Sequence, residues 1–261
     1  LIKLLWIYRY FILSSIRTEF KGRFVRSKLG GLWMILHPLA HVAIFAFILS
    51  SVLSAKLPGV ENRFAYAIYI MSGTLAWNLF AEVVSRCVNL FVDNGNLIKK
   101  LSFPKITLPA VVIGSSLVNS FFLLCAIFVI FGLLGHIPGL NVLWLPFLAI
   151  ILLGMSTGLG IFLAIINVFI RDVAQIVTIL LQLWFWLTPV VYMYNIIPAK
   201  FQGLLFLNPM TGIVLAYQNI LLFKKPPEFP QLIYPSIFSI FFLCVAYLMY
   251  IKGCEEMADA L

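Results

Sequence analysis

Polar positions in this chain do not alternate with apolar ones; they punctuate long apolar runs. A helix that crosses a bilayer needs about 20 mostly apolar residues, because the hydrocarbon core is about 30 Å thick and each helical residue rises about 1.5 Å. With Gly, Pro and charge clusters taken as breaks, six runs reach that length: 32–53, 64–84, 106–134, 143–170, 173–194 and 232–251. The expected fold is an all-α integral membrane protein, a single transmembrane domain over 1–261 with six transmembrane helices. An even number of spans puts both termini on one side.

The stretch "NVFIRDVAQIV", 167–177, sits in the longest apolar region. Unbroken, the 52 residues of 143–194 would form a helix roughly 78 Å long, more than twice the hydrocarbon core. The chain must fold back, and Arg171 and Asp172 are the strongly polar point near the middle. They are expected at a hairpin tip that acts as a hinge. Adjacent helical residues diverge by about 100°, so Arg171 can reach lipid phosphate while Asp172 caps the start of the fifth helix.

Three segments between the runs carry patterns of their own. Before the first span, Lys3, Tyr10, Ser14, Arg17 and Lys21 share one arc of a helix, with Leu1, Leu5, Tyr8, Ile12 and Ile16 opposite. This predicts an amphipathic surface helix within 1–28, with Arg9 and Glu19 as imperfections. Between the fifth and sixth spans, 195–231 holds two apolar pieces, 201–207 and 213–223, separated by Asn208-Pro209 and Gly212. Each is too short to cross, so they read as a re-entrant or interfacial helix pair; an external loop with apolar patches is the alternative. The loop "VDNGNLIKKLSFPKITLP", 92–109, breaks at Asn94-Gly95, carries Lys99 and Lys100 on a short amphipathic piece, and returns after Phe103-Pro104. A short surface helix of this kind suits docking into a partner's groove, and serves equally as a basic anchor.

Composition agrees with the runs. The chain is 63% hydrophobic and 10% charged, with a mean hydropathy of +1.07, where soluble domains are about 45–50% apolar and about 25% charged. The net charge of +9 reports orientation here rather than nucleic-acid binding. With the termini inside, 13 Lys and Arg residues face the cytoplasm and 5 face out, as the positive-inside rule requires. Four cysteines, Cys87, Cys125, Cys244 and Cys254, show no CxxC spacing and read as small packing residues. The first thirty residues mix apolar and basic side chains, so no secretory signal pattern is visible. Because the chain begins at Leu1, an initiator methionine or a few residues are expected to precede it.

Enzyme chemistry is poorly represented. There is no GxxxxGK[ST] to hold nucleotide and no HExxH. His37 and His41 stand at i, i+4 but Pro38 intervenes and no third ligand follows, so no metal site is expected. Glu82 and Arg86 are also i, i+4; Glu82 lies about 27 Å along the second span from Phe64 by the helical rise, near the inner interface, where it can pair with Arg86 as an anchor. A membrane enzyme acting on a lipid-linked sugar needs clustered acids or a nucleophile–base pair, and Glu82, Asp93 and Asp172 do not cluster in sequence. An ion channel or ion-coupled transporter places ionisable groups at mid-depth, and these spans have almost none. Aromatics are 15% of the chain. Trp33, Trp144 and Tyr250 suit interfacial belts, whereas Phe45, Trp77, Trp184, Trp186, Tyr192 and Tyr194 either pack in the core or line a pathway, where flat faces with polar tips contact sugar rings.

Several stretches together resemble the ABC-2 type permeases that export polysaccharides, in particular the membrane subunit of O-antigen ABC transporters. They are "RSKLGGLWMILHPL" (26–39), "NLIKKLSFPKITLP" (96–109), "FIRDV" (169–173), "LTPVVY" (187–192), "LNPMTGIVLAYQNILL" (207–222) and "EEMADAL" (255–261), in order along nearly the whole chain. The resemblance implies a homodimeric pore in the bacterial inner membrane. Each copy would dock a separate ABC ATPase subunit that binds ATP and Mg, so this chain has no cofactor of its own. It also implies a coupling helix at 92–105, with Asn94, Asn96, Lys99, Lys100 and Phe103 at the ATPase contact, and an external mouth shaped by 201–223. The expected cargo is a polyprenyl-pyrophosphate-linked polysaccharide, O-antigen before capsule or teichoic acid, with a small-molecule ABC-2 exporter as a further alternative. Arg23, Arg26 and Lys28 would receive its pyrophosphate, and the first and fifth spans would part across the dimer axis. Members often carry an arginine after the NP motif where this sequence has Gln218.

Overall fold

The computed structural model describes residues 2–24, 65–95 and 105–253, with isolated positions 32, 33, 36 and 40. In chain order the helices are α1 (Ile2–Ile7), α2 (Arg9–Phe24), α3 (Ala65–Val88), α4 (Leu90–Asp93), α5 (Thr107–Leu133), α6 (Leu145–Phe169), α7 (Val173–Leu187), α8 (Ala199–Leu205), α9 (Pro209–Leu221) and α10 (Phe229–Gly253). Short 3-10 turns occupy Leu140–Trp144 and Tyr194–Ile196. Among the described residues there is no strand. Four helical stretches there are long and apolar enough to cross a membrane: Ala65–Val88, Thr107–Leu133, Leu140–Phe169 and Phe229–Lys252. The expected first span, 32–53, lies outside the described residues except for those isolated positions.

The fifth apolar run is a shorter helix than its hydropathy implies. It was expected over 173–194, but α7 stops at Leu187. Thr188 takes an extended backbone, φ −102° and ψ 136°, because the ring of Pro189 disfavours the helical conformation in the residue before it. The 15 residues of α7 span only about 22 Å. The turn before α7 falls at Arg171–Asp172, as the length requirement demands, and both side chains are exposed. The expected cap is corrected: Asp172 occupies the N-cap position without making a side-chain capping bond. The bond comes from Asn167, whose Oδ1 accepts from the Ala174 N–H at 3.2 Å.

Among the described helices α3 is the axis. In its most apolar stretch 78% of residues are buried, against 22% for the corresponding stretches of α5 and α10. α6 runs parallel to α3 and α10 and lies between them, and glycines set the separation. A Cβ on Gly160 would lie 2.5 Å from Cys87 Cβ of α3. On the other face, a Cβ on Gly158 would lie 2.7 Å from the Leu243 nitrogen of α10. Small residues let backbones approach in this way when lipid supplies no hydrophobic drive between helices. Gly212 of α9 faces the Gln231 carbonyl of α10, only 2.3 Å from where its Cβ would stand. Pro235 inside α10 has no N–H to give that carbonyl.

Two helix termini orient the remaining elements. After α5 the chain turns at Gly135, φ 71°, and the His136 N–H reaches back to the Phe131 carbonyl at 2.8 Å. That is the bond of a glycine-terminated helix end, and it directs His136 Nε2 to the Leu221 carbonyl at 2.7 Å. α9 begins at Asn208-Pro209: the Asn208 side chain accepts from the Met210 N–H, and Pro209 sits where a missing N–H costs nothing.

Replacing Gly158 by Ala should therefore push α10 away from α6 and lower stability by about 1–3 kcal/mol, the usual effect of overpacking. Gly132→Ala, where a Cβ meets nothing within 4 Å, should not lower it and should raise it by up to about 1 kcal/mol through helix propensity. Reversible unfolding of both variants in mixed micelles measures the difference.

Candidate functional site: polar joints at the two ends of the bundle

At one end the chain leaves helix for residues 188–193 and is buried there: Thr188, Val190 and Val191 have almost no exposed surface. Buried backbone needs partners, and side chains of α3 and α9 supply them. The Tyr66 hydroxyl donates to the Val191 carbonyl, and the Tyr69 hydroxyl reaches the Tyr192 carbonyl at 3.0 Å and that of Pro189 at 3.3 Å. Gln218 Nε2 donates to the Pro189 carbonyl at 3.0 Å. Gly73 makes room, since a Cβ there would lie 2.9 Å from Gln218 Nε2. Gln218 is 1% exposed, so position 218 holds a neutral clamp on the backbone.

Asn208 joins the end of α7 to the start of α9. Its Oδ1 accepts from Trp184 Nε1 at 2.7 Å and from the Met210 N–H at 2.9 Å. Its Nδ2 donates to Thr188 Oγ1 at 2.9 Å, and Thr188 Oγ1 in turn donates to the Trp184 carbonyl at 2.8 Å. Aromatic edges continue the contact toward α3. The Trp184 ring lies 5.1 Å from Phe80, and Phe185 lies 5.5 Å from Trp77, both edge-on, the geometry aromatic quadrupoles favour.

At the other end the joint is ionic. Arg86 of α3 donates to Glu19 of α2 at 2.8 Å, donates to Ser115 Oγ of α5 at 2.7 Å, and faces Glu82 at 3.6 Å. Asn119 of α5 completes the set by donating to the second Glu82 oxygen at 2.6 Å. One guanidinium thus holds two carboxylates from α2 and α3, and its planar array of donors suits that sharing. The side chains keep about a fifth to a quarter of their surface exposed, so solvent screens the pairing and its strength is moderate. Ile16 of α2 packs on Gly114 of α5 beside it.

The sequence-predicted residues fall in several places. Asn94 ends α4 and donates to the Leu90 carbonyl at 2.8 Å; Asn96, Lys99, Lys100 and Phe103 lie outside the described residues, as do Arg26, Lys28, Phe45, His37 and His41. Arg23 falls in the last turn of α2. Of the aromatic set, Trp184 is committed to the Asn208 joint, and Tyr194 stacks edge-on to Phe206 at 5.8 Å. Tyr192 is half-buried and contributes its carbonyl to Tyr69. Trp186 meets Phe185 edge-on at 5.6 Å and is 58% exposed, on a stripe with Ile176, Ile179 and Leu183 along α7 that is exposed among the described residues. Glu82 and Arg86 pair as their spacing predicts. The supposed imperfection Glu19 is the partner that ties α2 down. Asn167, Asn208, Tyr66 and Tyr69 were not singled out for these contacts, although Asn followed by Pro is a readable helix start.

Residues 10–222 match the ABC-2 type transporter family. The chain is 30% identical to the O-antigen export system permease protein RfbA of Myxococcus xanthus, with 100% of this chain and 99% of that protein covered. It is 29% identical to the protein of the same name from Klebsiella pneumoniae, over 77% of this chain and 76% of that one. Similarity to the polysialic acid transport protein KpsM of Escherichia coli is lower, 21% over 92% of each chain. The chain belongs to the ABC-2 type transporter family, as a membrane permease of the polysaccharide-export kind.

Proposed function

We propose that the chain is the membrane subunit of an ATP-driven exporter that moves a polyprenyl-pyrophosphate-linked polysaccharide, O-antigen in class, from the inner to the outer leaflet of the bacterial cytoplasmic membrane. The observation that carries this reading is the full-length similarity to an O-antigen export permease. The polysialic acid transporter resemblance covers nearly as much chain at lower identity, and it favours capsule as the second reading of the cargo.

In this reading two copies, each with six spans and cytoplasmic termini, form the pathway, and each docks one ATPase subunit. The 92–105 segment is the contact, through Asn94, Asn96, Lys99, Lys100 and Phe103. ATP binding by the partner pushes on that segment, and the first and fifth spans part. The uncovered stripe of α7, Ile176, Ile179, Leu183 and Trp186, supports a helix that faces another body rather than the interior of its own chain. Arg23, Arg26 and Lys28 receive the pyrophosphate by charge-assisted hydrogen bonds, with Phe45, Trp186, Tyr192 and Tyr194 along the glycan's route. The chain lacks a P-loop of its own, which supports a separate ATPase.

Depleting the permease in its host should leave finished lipid-linked glycan on the inner leaflet, measured by extraction and by leaflet-specific labelling; an unchanged distribution removes the transport reading. Reversing both coupling charges, Lys99→Glu with Lys100→Glu, should reduce co-purification of the ATPase by about tenfold, as loss of charge complementarity predicts. Undiminished co-purification removes the two lysines from that contact.

A further inference from the structure

Asn167 occupies the last turn of α6 and is 2% exposed. Its amide faces two other elements at once. Nδ2 donates to the Val88 carbonyl, the end of α3, at 3.0 Å, and approaches Asn89 Oδ1, at the entrance to α4, at 3.5 Å. Oδ1 accepts from the Ala174 N–H in the first turn of α7 at 3.2 Å. Val88 is among the last carbonyls of its helix and Ala174 among the first N–H groups of its own, positions that the helix itself cannot satisfy. One buried side chain therefore closes the C-terminus of α3 and the N-terminus of α7. Asp172, at the N-cap position, makes no side-chain capping bond.

Separating either partner from Asn167 would leave a polar group buried and unpaired, which costs more than the bond gains. We propose that Asn167 is a positioning residue that makes the α3–α4 corner and the start of α7 move as one body. α4 leads directly to Asn94 and the 92–105 segment, so a push on that segment reaches α7 through this amide. The proposal rests on the reading of that segment as the ATPase contact. It assigns the transmission to Asn167 instead of the exposed Arg171 and Asp172.

The test uses the permease with its ATPase in nanodiscs, comparing the parent with Asn167→Leu, which fills the same space without hydrogen bonds, and Asn167→Asp at pH 8, which when ionised keeps the acceptor for Ala174 but lacks the donor for Val88. Without nucleotide, the Ala174 amide should exchange about tenfold faster in the Leu variant and as in the parent in the Asp variant. On adding a non-hydrolysable ATP analogue, 85–93 should respond in all three forms, and 173–177 should respond in the parent only. ATP hydrolysis should stay within about twofold while export falls about tenfold in both variants, a split that a general loss of stability would not produce. Parent-like responses at 173–177, or a parent-like ratio of export to hydrolysis, in both variants overturn the proposal. If the parent itself exports no lipid-linked glycan, the functional reading fails; the nucleotide-free exchange still decides the joint, and an unaltered Ala174 rate in the Leu variant overturns it.

Discussion

An apolar bundle tolerates unpaired backbone polar groups poorly, and this constraint governs where the chain can break its helices. Residues 188–193 are the clearest case. Pro189 ends α7 well short of the full apolar run, and the freed carbonyls of Pro189, Val191 and Tyr192 are met by Tyr66, Tyr69 and Gln218. Without those three side chains the segment would have to refold as helix or leave the bundle. The central position of α3 follows from the same requirement, because two of the three donors come from its first turns.

The two ends of the bundle are held by different chemistry. Around 188–193 the partners are neutral and half-buried to buried: Asn208 uses both oxygen and nitrogen twice, while Gln218 Oε1 accepts no hydrogen bond among the described residues. Around Arg86 the partners are charged and partly exposed, which suits a region near headgroups and water. A neutral joint of buried backbone bonds resists displacement, whereas a screened ionic one exchanges partners at modest cost. At the ionic end α2 is tied to α3 through Arg86, and the α3–α4 corner is tied to the α6–α7 turn through Asn167.

Hydropathy alone located the four long helices among the described residues, since run length against membrane thickness leaves little choice, and it placed the turn at Arg171–Asp172. Local spacing was equally informative for Glu82 and Arg86. Long-range polar contacts were not legible. Glu19 looked like a defect in an amphipathic pattern because its partner Arg86 is 67 residues away. Asp172 looked like the cap of α7 because it precedes the helix, but Asn167 reaches the same N–H from the preceding turn of α6. The apolar run through Tyr194 concealed the end of α7, although Pro189 was the available signal. Of the expected coupling, pyrophosphate and pathway residues, Asn96, Lys99, Lys100, Phe103, Arg26, Lys28 and Phe45 lie outside the described residues.

The central claim is ATP-driven transfer of a lipid-linked polysaccharide across the bilayer, and reconstitution addresses it most directly. Permease and its ATPase would be placed in liposomes carrying a fluorescent polyprenyl-pyrophosphate-linked glycan, and the glycan on the leaflet opposite the ATPase would be counted after ATP is added. The account predicts transfer that requires ATP, both proteins and the pyrophosphate-linked lipid. Transfer by the permease alone, or hydrolysis by the intact complex with no transfer of any such glycan, would contradict it.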